Sequence, residues 1–410
     1  MRRARRSERS GSSQDPMVWA SAEGSTVKDV DGKSYIDLCA SFGSAALGHR
    51  HPEVQSAVAQ QLQKLWQAMG DLQPAEVKIQ LLERLCELSP WPQSRVMLGL
   101  SGSDSVEAAL KTAALYTEKP GVLSFHGSYH GLSYGALSVS AFNDDFRAPF
   151  SESLNPQVHF APFPQAHDSA EQLISLVETH WRADIGAILV EPIQSRGGIN
   201  LGPAHMLPKL KQWCHDHGAL LIVDEIYTGL GRCGAWWLSA NENQISADLI
   251  CIGKALGGGL PISACLGAES IMQAWAKSGH EALHTSTFAG YPLACAAALA
   301  TLQVIETQAL PERAQTIGNR FMEALKHALK ENSQVKAVRG QGLLVGIELV
   351  EPGAALKLYQ QLLERGFITL IAGKDARVLQ LSPALTIESE LLIDRFIPQL
   401  KKSMNELYGA

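Results

Sequence analysis

Four near-continuous apolar runs constrain this chain more than any other feature: Val-Leu-Ser-Phe (122–125), Ala-Ile-Leu-Val (187–190), Leu-Leu-Ile-Val (220–223) and Leu-Ile-Cys-Ile (249–252). Strands without polar alternation are buried on both faces. Helical stretches separate these runs, so the pattern predicts an α/β fold with helices on each side of a mostly parallel sheet. Ligands in such sheets sit beyond the carboxyl ends of the strands. The residues expected there are His126, Glu191, Asp224 and Lys254.

At 410 residues and 46% hydrophobic content, the chain can bury a large core plus a smaller one. After about residue 305 its texture changes, with amphipathic helices expected near 311–331 and 354–366 around an alternating strand at 338–349. We expect a basic tail at 1–16, an N-terminal segment at 17–48 packing with the small domain, a large domain at 49–305 and a small α+β domain at 306–410. The N-terminal segment contains a hairpin-like stretch, 27–38, turning at Asp31-Gly32.

A net charge of −6 gives no footprint for nucleic acid or a membrane surface, so the expected partner is a small molecule. Arginines at 2, 3, 5, 6 and 9 are followed by Ser-Gly-Ser-Ser-Gln and by no apolar signal core. Glu8 and the short length favour a disordered tail over a transit peptide. Seven cysteines without a Cys-x-x-Cys pair predict reduced, mostly buried thiols and a cytoplasmic protein. The alanine-rich stretch at 288–305, interrupted by Gly290 and Pro292, reads as a packed helix rather than a membrane span.

Small residues precede strong helix formers at 100–111, making Gly102 and Ser103 candidates for holding a phosphate at a helix N-terminus. An ordinary capped helix start has the same appearance. Gly229, Gly231 and Gly234 match the dinucleotide spacing, but the residues after them make a poor opening helix. Gly253-Lys254 lacks a glycine at 248 and a Ser or Thr at 255, so the phosphate-loop pattern fails as well.

Lys254, hemmed in by Ile252, Leu256 and glycines, is then an amine whose pKa burial lowers, able to form an imine with an aldehyde. Thirty residues earlier, Asp224 ends its strand where a carboxylate can hold the proton of a pyridine nitrogen. Pyridoxal phosphate chemistry needs that pair. Tyr129, in Phe-His-Gly-Ser-Tyr-His-Gly (125–131), offers a ring for stacking. His126 and His130 have a spacing seen in zinc sites, yet Gly127 makes a helix implausible and no metal site is expected.

Five blocks carry a family resemblance in order: Ser-Gly-Ser-Asp-Ser-Val-Glu-Ala-Ala (101–109), Phe-His-Gly-Ser-Tyr-His-Gly, Val-Glu-Pro-Ile-Gln (190–194), Val-Asp-Glu-Ile-Tyr-Thr-Gly (223–229) and Gly-Lys-Ala-Leu-Gly-Gly-Gly-Leu-Pro (253–261). From about residue 19 onward the chain resembles the class III, or ω-type, aminotransferases among fold-type I pyridoxal-phosphate enzymes. The resemblance implies that Lys254 forms the cofactor Schiff base and moves the substrate proton, and that Asp224 pairs with the pyridinium. It implies cofactor contacts from Tyr129 and Ile226 on the two ring faces, from Tyr227 near the ring hydroxyl, and from Glu191. Gly102 and Ser103 would hold the phosphate. Thr287 would join them from a second subunit, so a homodimer is implied.

Two departures concern the substrate. Ser195-Arg196-Gly197 stands where glutamate-using members carry Gly-Glu-Gly, and Gln380 stands where they carry an arginine for the α-carboxylate. Either Arg196 or Arg377 is expected to take a carboxylate instead. Glu225, Trp19, Phe42, Met69 and Tyr291 are candidates for shaping the pocket. The expected activity is transfer of an amino group from an amine or amino acid to a keto acid or aldehyde. Epimerases, aminomutases and decarboxylases on the same scaffold are the alternatives, with a non-catalytic binding protein behind them.

Overall fold

The computed structural model describes residues 17–241, 244–278 and 282–408. The arginine-rich stretch at 1–16 lies outside the described residues. At the centre is a seven-stranded sheet: β1 (Ser94–Gly99), β2 (Gly121–Phe125), β3 (Val158–Ala161), β4 (Ile185–Val190), β5 (Leu220–Asp224), β6 (Leu249–Ile252) and β7 (Ser263–Ala268), in the order β1-β7-β6-β5-β4-β2-β3. Only β7 runs antiparallel to its neighbours.

Every residue of β2, β4, β5 and β6 is buried. Alternate side chains of one strand enter different packed layers: Leu221 and Val223 of β5 join one core, Leu220 and Ile222 the other. Each such fully buried aliphatic side chain contributes about 1.5–3 kcal/mol. The unbroken apolar runs are therefore a direct consequence of helices covering both faces of the sheet.

Helix α1 (Gly102–Thr117) follows β1 directly. Ser101 caps it, accepting from the Asp104 amide, while the Asp104 carboxylate accepts from the Ser101 amide. Small side chains at Ala109 and Ala113 let it lie close on the sheet beside Ile222 and Cys251. On the other face, the helix Pro292–Thr307 contributes Ala294, Ala298, Leu302 and Ile305 to the core. No single helix among the described residues is long and apolar enough to cross a membrane.

Two smaller sheets frame one end of the large one. Trp19–Glu23, Thr26–Asp29 and Ser34–Asp37 form an antiparallel meander, and Ser34–Asp37 also pairs in parallel with Phe367–Ile368. Gly32, at a φ of 89°, makes the turn, and the Asp29 carboxylate accepts from the Asp31 and Lys33 amides. The C-terminal sheet runs Val335–Gln341, Leu344–Leu349, Val378–Leu381, Leu370–Ala372 in spatial order. Helices Leu310–Leu329 and Ala354–Glu364 accompany it. Residues 338–349, expected as one strand, instead span a tight hairpin. Gly342 has a φ of 54°, and a Cβ there would stand 2.7 Å from the Arg232 carbonyl oxygen, so the chain reverses at this glycine.

A left-handed run, Ala40, Ser41 and Phe42 (φ 44°, 49° and 60°) followed by Gly43, carries the N-terminal segment toward the large sheet. Elsewhere on the surface, Leu65, Trp66, Met69 and Leu72 are exposed, as are Leu283 and Phe288. Gln67 Nε2 donates to the Thr287 carbonyl at 2.7 Å and Thr285 Oγ1 to Asp71 Oδ2 at 3.0 Å, joining these two segments into one apolar strip.

Candidate active site

A cavity of about 950 Å³ opens beyond the carboxyl ends of β4, β5 and β6, bounded by the start of α1 and by Leu370, Ile371 and Gln380 of the C-terminal sheet. Lys254 stands two residues past β6 on a positive φ of 29°, and the short turn after it ends at Gly258 with a φ of 56°. Its Nζ lies 4.4 Å from the centre of the Tyr227 ring. Burial holds its pKa below the usual lysine range, against the opposing charges of Asp224 and Glu191 and with a small push from Arg196. A fraction of unprotonated amine follows, as a nucleophile requires.

Asp224, almost wholly buried at the end of β5, is fixed on both oxygens. Oδ1 accepts from the Ile226 amide at 3.0 Å, and Oδ2 lies 2.7 Å from His130 Nδ1. His130 is itself fully buried and anchored through its amide to Ser140 Oγ. In the sequence, His130 stands out only by its metal-like spacing from His126. The two rings part company: His126 stacks on Phe160, and His130 supports Asp224.

Glu191 follows β4 and accepts from the Tyr129 amide at 3.0 Å and the Ser195 amide at 3.2 Å. Burial pushes its pKa up to about 7, with the charge of Asp224 adding to the shift and His130 and the two amides opposing it. The same carboxylate thus holds the loop bearing Tyr129 and the loop bearing Arg196.

At the α1 end, Gly102 and Ser103 are the first two helical residues, whose amides have no carbonyl to reach within the helix. Gly102 packs on Ile226, since a Cβ would lie 2.9 Å from its Cδ1. Gly131 lets the Tyr129 loop close over this end: its Cβ would fall 2.0 Å from Ser103 Oγ. A buried amine, a carboxylate with both oxygens fixed, an aromatic ring and a helix N-terminus with free amides make a donor set that fits an aldehyde, a ring nitrogen and a phosphate on one molecule.

Among the substrate candidates, Arg196, Gln380 and Phe42 line the cavity. Gln380 Nε2 donates to the Tyr227 hydroxyl at 2.9 Å, and that hydroxyl also contacts Ser382 Oγ at 2.9 Å. Gln380, a departure from the family pattern, is therefore bonded to Tyr227, a residue the resemblance places near the cofactor ring. Arg377 does not reach the cavity: its guanidinium bonds the Val350 carbonyl and pairs with Asp375, outside the lining.

Met69 and Thr287 are exposed on the apolar strip and do not line the cavity of their own chain. Glu225 is not a pocket residue either. Its buried carboxylate accepts from the Leu238 and Ser239 amides and from the Ser239 hydroxyl, a structural use. Tyr291 packs against the core ahead of Pro292, and Trp19 lies edge-on to His49. Besides His130, the sequence reading missed Phe142, which lines the mouth.

Fold and site define a fold-type I enzyme that uses pyridoxal phosphate. The chain belongs to the class-III aminotransferase family, whose model matches residues 9–404. An acetylornithine aminotransferase of Methanopyrus kandleri is 35% identical over 82% of this chain and 81% of its own length. An alanine/serine racemase of Pyrococcus horikoshii is 32% identical over 92% of this chain and 83% of its own. Among solved structures, an ornithine aminotransferase of Toxoplasma gondii, with partially occupied pyridoxal phosphate in its active site, shares 28% identity. It covers 99% of this chain and 94% of its own at a TM-score of 0.86. This protein is an aminotransferase moving an amino group between a donor and a carbonyl acceptor.

Proposed function

We propose that Lys254 Nζ is the group that holds the cofactor and carries the substrate proton, and that Asp224, His130, Glu191, Gly102 and Ser103 hold the surroundings fixed while it does so. Bound pyridoxal phosphate supplies an aldehyde carbon that takes up the amino group and a ring that accommodates the electron pair left behind. Lys254 Nζ, partly neutral because it is buried, accepts the proton from the substrate carbon bearing the nitrogen and returns it during the second half of the exchange. Asp224 would face the ring nitrogen, held in place by the 2.7 Å contact of its Oδ2 with His130 Nδ1. The free amides of Gly102 and Ser103 would hold the phosphate, and Tyr129 and Ile226 would contact the ring. Tyr227, its hydroxyl committed to Ser382 and Gln380, presents its ring to the lysine amine.

The observation that carries this reading is the convergence of Lys254, Asp224 and the α1 N-terminus on one cavity. Incubating the holoenzyme with an amino donor and no acceptor tests it. Pyridoxamine phosphate, recovered on denaturation, should approach one per subunit, and a keto acid should regenerate pyridoxal phosphate. The racemase relative motivates a second reading, which predicts loss of the optical purity of L-alanine with no pyridoxamine phosphate.

A homodimer is part of the same proposal, with Thr287 reaching the partner's phosphate site. Its support is the exposure of Leu65, Trp66, Met69, Leu72, Leu283 and Phe288 on two segments tied to each other by hydrogen bonds, since clustered exposed apolar side chains mark interaction surfaces. A cytoplasmic location is in keeping with seven unpaired cysteines.

A further inference from the structure

The geometry points to Arg196 as the receptor for a carboxylate on the substrate, and to amino and keto acids carrying one such group as the substrate class. This rests on the amino-transfer reading of the cavity above. The Arg196 guanidinium has three aromatic rings around it: Tyr129, Phe142 and Phe146, with its carbon 4.5, 5.1 and 5.4 Å from their centres. Rings can fix the plane of a guanidinium, but they accept none of its N–H bonds along the edge. Among the described residues no hydrogen-bond or ion-pair partner meets that edge, and the side chain is exposed within the cavity lining.

The nearby acids are committed elsewhere. Glu191 holds the Tyr129 and Ser195 amides, and Asp224 holds His130 and the Ile226 amide. A preset planar fork with unsatisfied N–H groups matches a carboxylate bidentately and loses little rotamer freedom on binding it. Among the lining residues of this chain, Lys254 and Arg196 are the only lysine or arginine side chains, and Lys254 is assigned to the cofactor. Position 380, an amide bonded to the Tyr227 hydroxyl, supplies no second cation. One guanidinium then recognises one carboxylate. Phe142 and Phe146 are positioning residues, acting through the plane they impose on Arg196.

Calorimetric titration of the holoenzyme with pentanoate and with pentanamide, equal in shape and different in charge, tests the assignment. We expect pentanoate to bind at least tenfold more tightly. Arg196→Gln should abolish that preference and Arg196→Lys should restore part of it. The double variant Phe142→Leu/Phe146→Leu should weaken pentanoate severalfold while leaving pentanamide unchanged, whereas Arg377→Gln should alter neither. Cofactor content and thermal melting identify any variant that has not folded. A pentanoate preference that survives Arg196→Gln, or is missing from the wild type, overturns the assignment. In the half-reaction with 5-aminopentanoate and no acceptor, the second-order rate of pyridoxamine phosphate formation should fall at least tenfold in Arg196→Gln, mainly through a higher half-saturating donor concentration, and Arg196→Lys should recover part of it. A wild type that prefers pentanoate but forms no pyridoxamine phosphate from any amino donor would leave the Arg196 assignment standing and remove the amino-transfer reading.

Discussion

The floor and the mouth of the cavity are built on different principles. At the floor, Asp224 and Glu191 are buried and each has both carboxylate oxygens bonded to an amide or to His130, whose Nδ1 is thereby engaged. At the mouth, Phe42 is 66% exposed, Arg196 is held by ring faces alone, and the lining comes from loops and a small sheet. A polar group buried without its partner costs about 1–3 kcal/mol, so floor residues can change only together. Mouth residues carry no such mutual obligation, which is why one scaffold can keep its chemistry and alter what it accepts.

Substitutions can break that contrast. Lys254→Ala should have the largest effect, lowering single-turnover amino transfer by about 10⁴-fold for every donor. Borohydride treatment should then leave no cofactor fixed to the chain by mass spectrometry; retained labelling would dismiss Lys254. Next comes Asp224→Asn, which replaces an ionic acceptor of the His130 N–H by a neutral one. Rates should drop about 10²-fold with all donors alike, together with about 1–3 kcal/mol of stability in denaturant titration. A loss confined to carboxylate-bearing donors would erase the distinction between floor and mouth.

Glu191→Gln sharpens the comparison through pH. The folded pKa of Glu191 is raised, so the stability it contributes is fully present below its ordinary value near 4.5 and is lost as pH rises through about 7. Across that window the wild type should give up about 3 kcal/mol through this group, and the variant should not. Denaturation at pH 5 and pH 8 without cofactor reads the difference, and parallel curves would exclude the ionisation. The smallest effect belongs to the mouth. Phe42→Gly relieves a left-handed backbone costing about 1–2 kcal/mol but adds chain entropy of similar size. Stability should therefore shift by less than about 1 kcal/mol while KM changes with donor shape.

How much was legible in advance follows the same division. The strands β2, β4, β5 and β6 could be read because burial on both faces writes an apolar run into the sequence. β7, Ser-Ala-Cys-Leu-Gly-Ala, is made mostly of small residues with no β-branched side chain, and β3 ends the sheet with a histidine in its middle. Neither carries a signal above its surroundings. Lys254 and Asp224 were visible as the polar ends of readable strands. His130 reaches Asp224 across 94 positions through a loop closed by glycine, and no local pattern encodes that meeting. Phe142 and Phe146 are equally silent, because their partner at 196 is set by the Glu191 carboxylate joining two loops.

The apolar strip around Trp66 and Phe288 carries a practical consequence. If two subunits cover it, protein concentration becomes a variable of the enzyme's lifetime, since association stabilises by mass action. Stocks diluted for assay would lose activity with time at a rate that depends on the dilution, and the cover of a second subunit, rather than any additive, would be the means of preserving them.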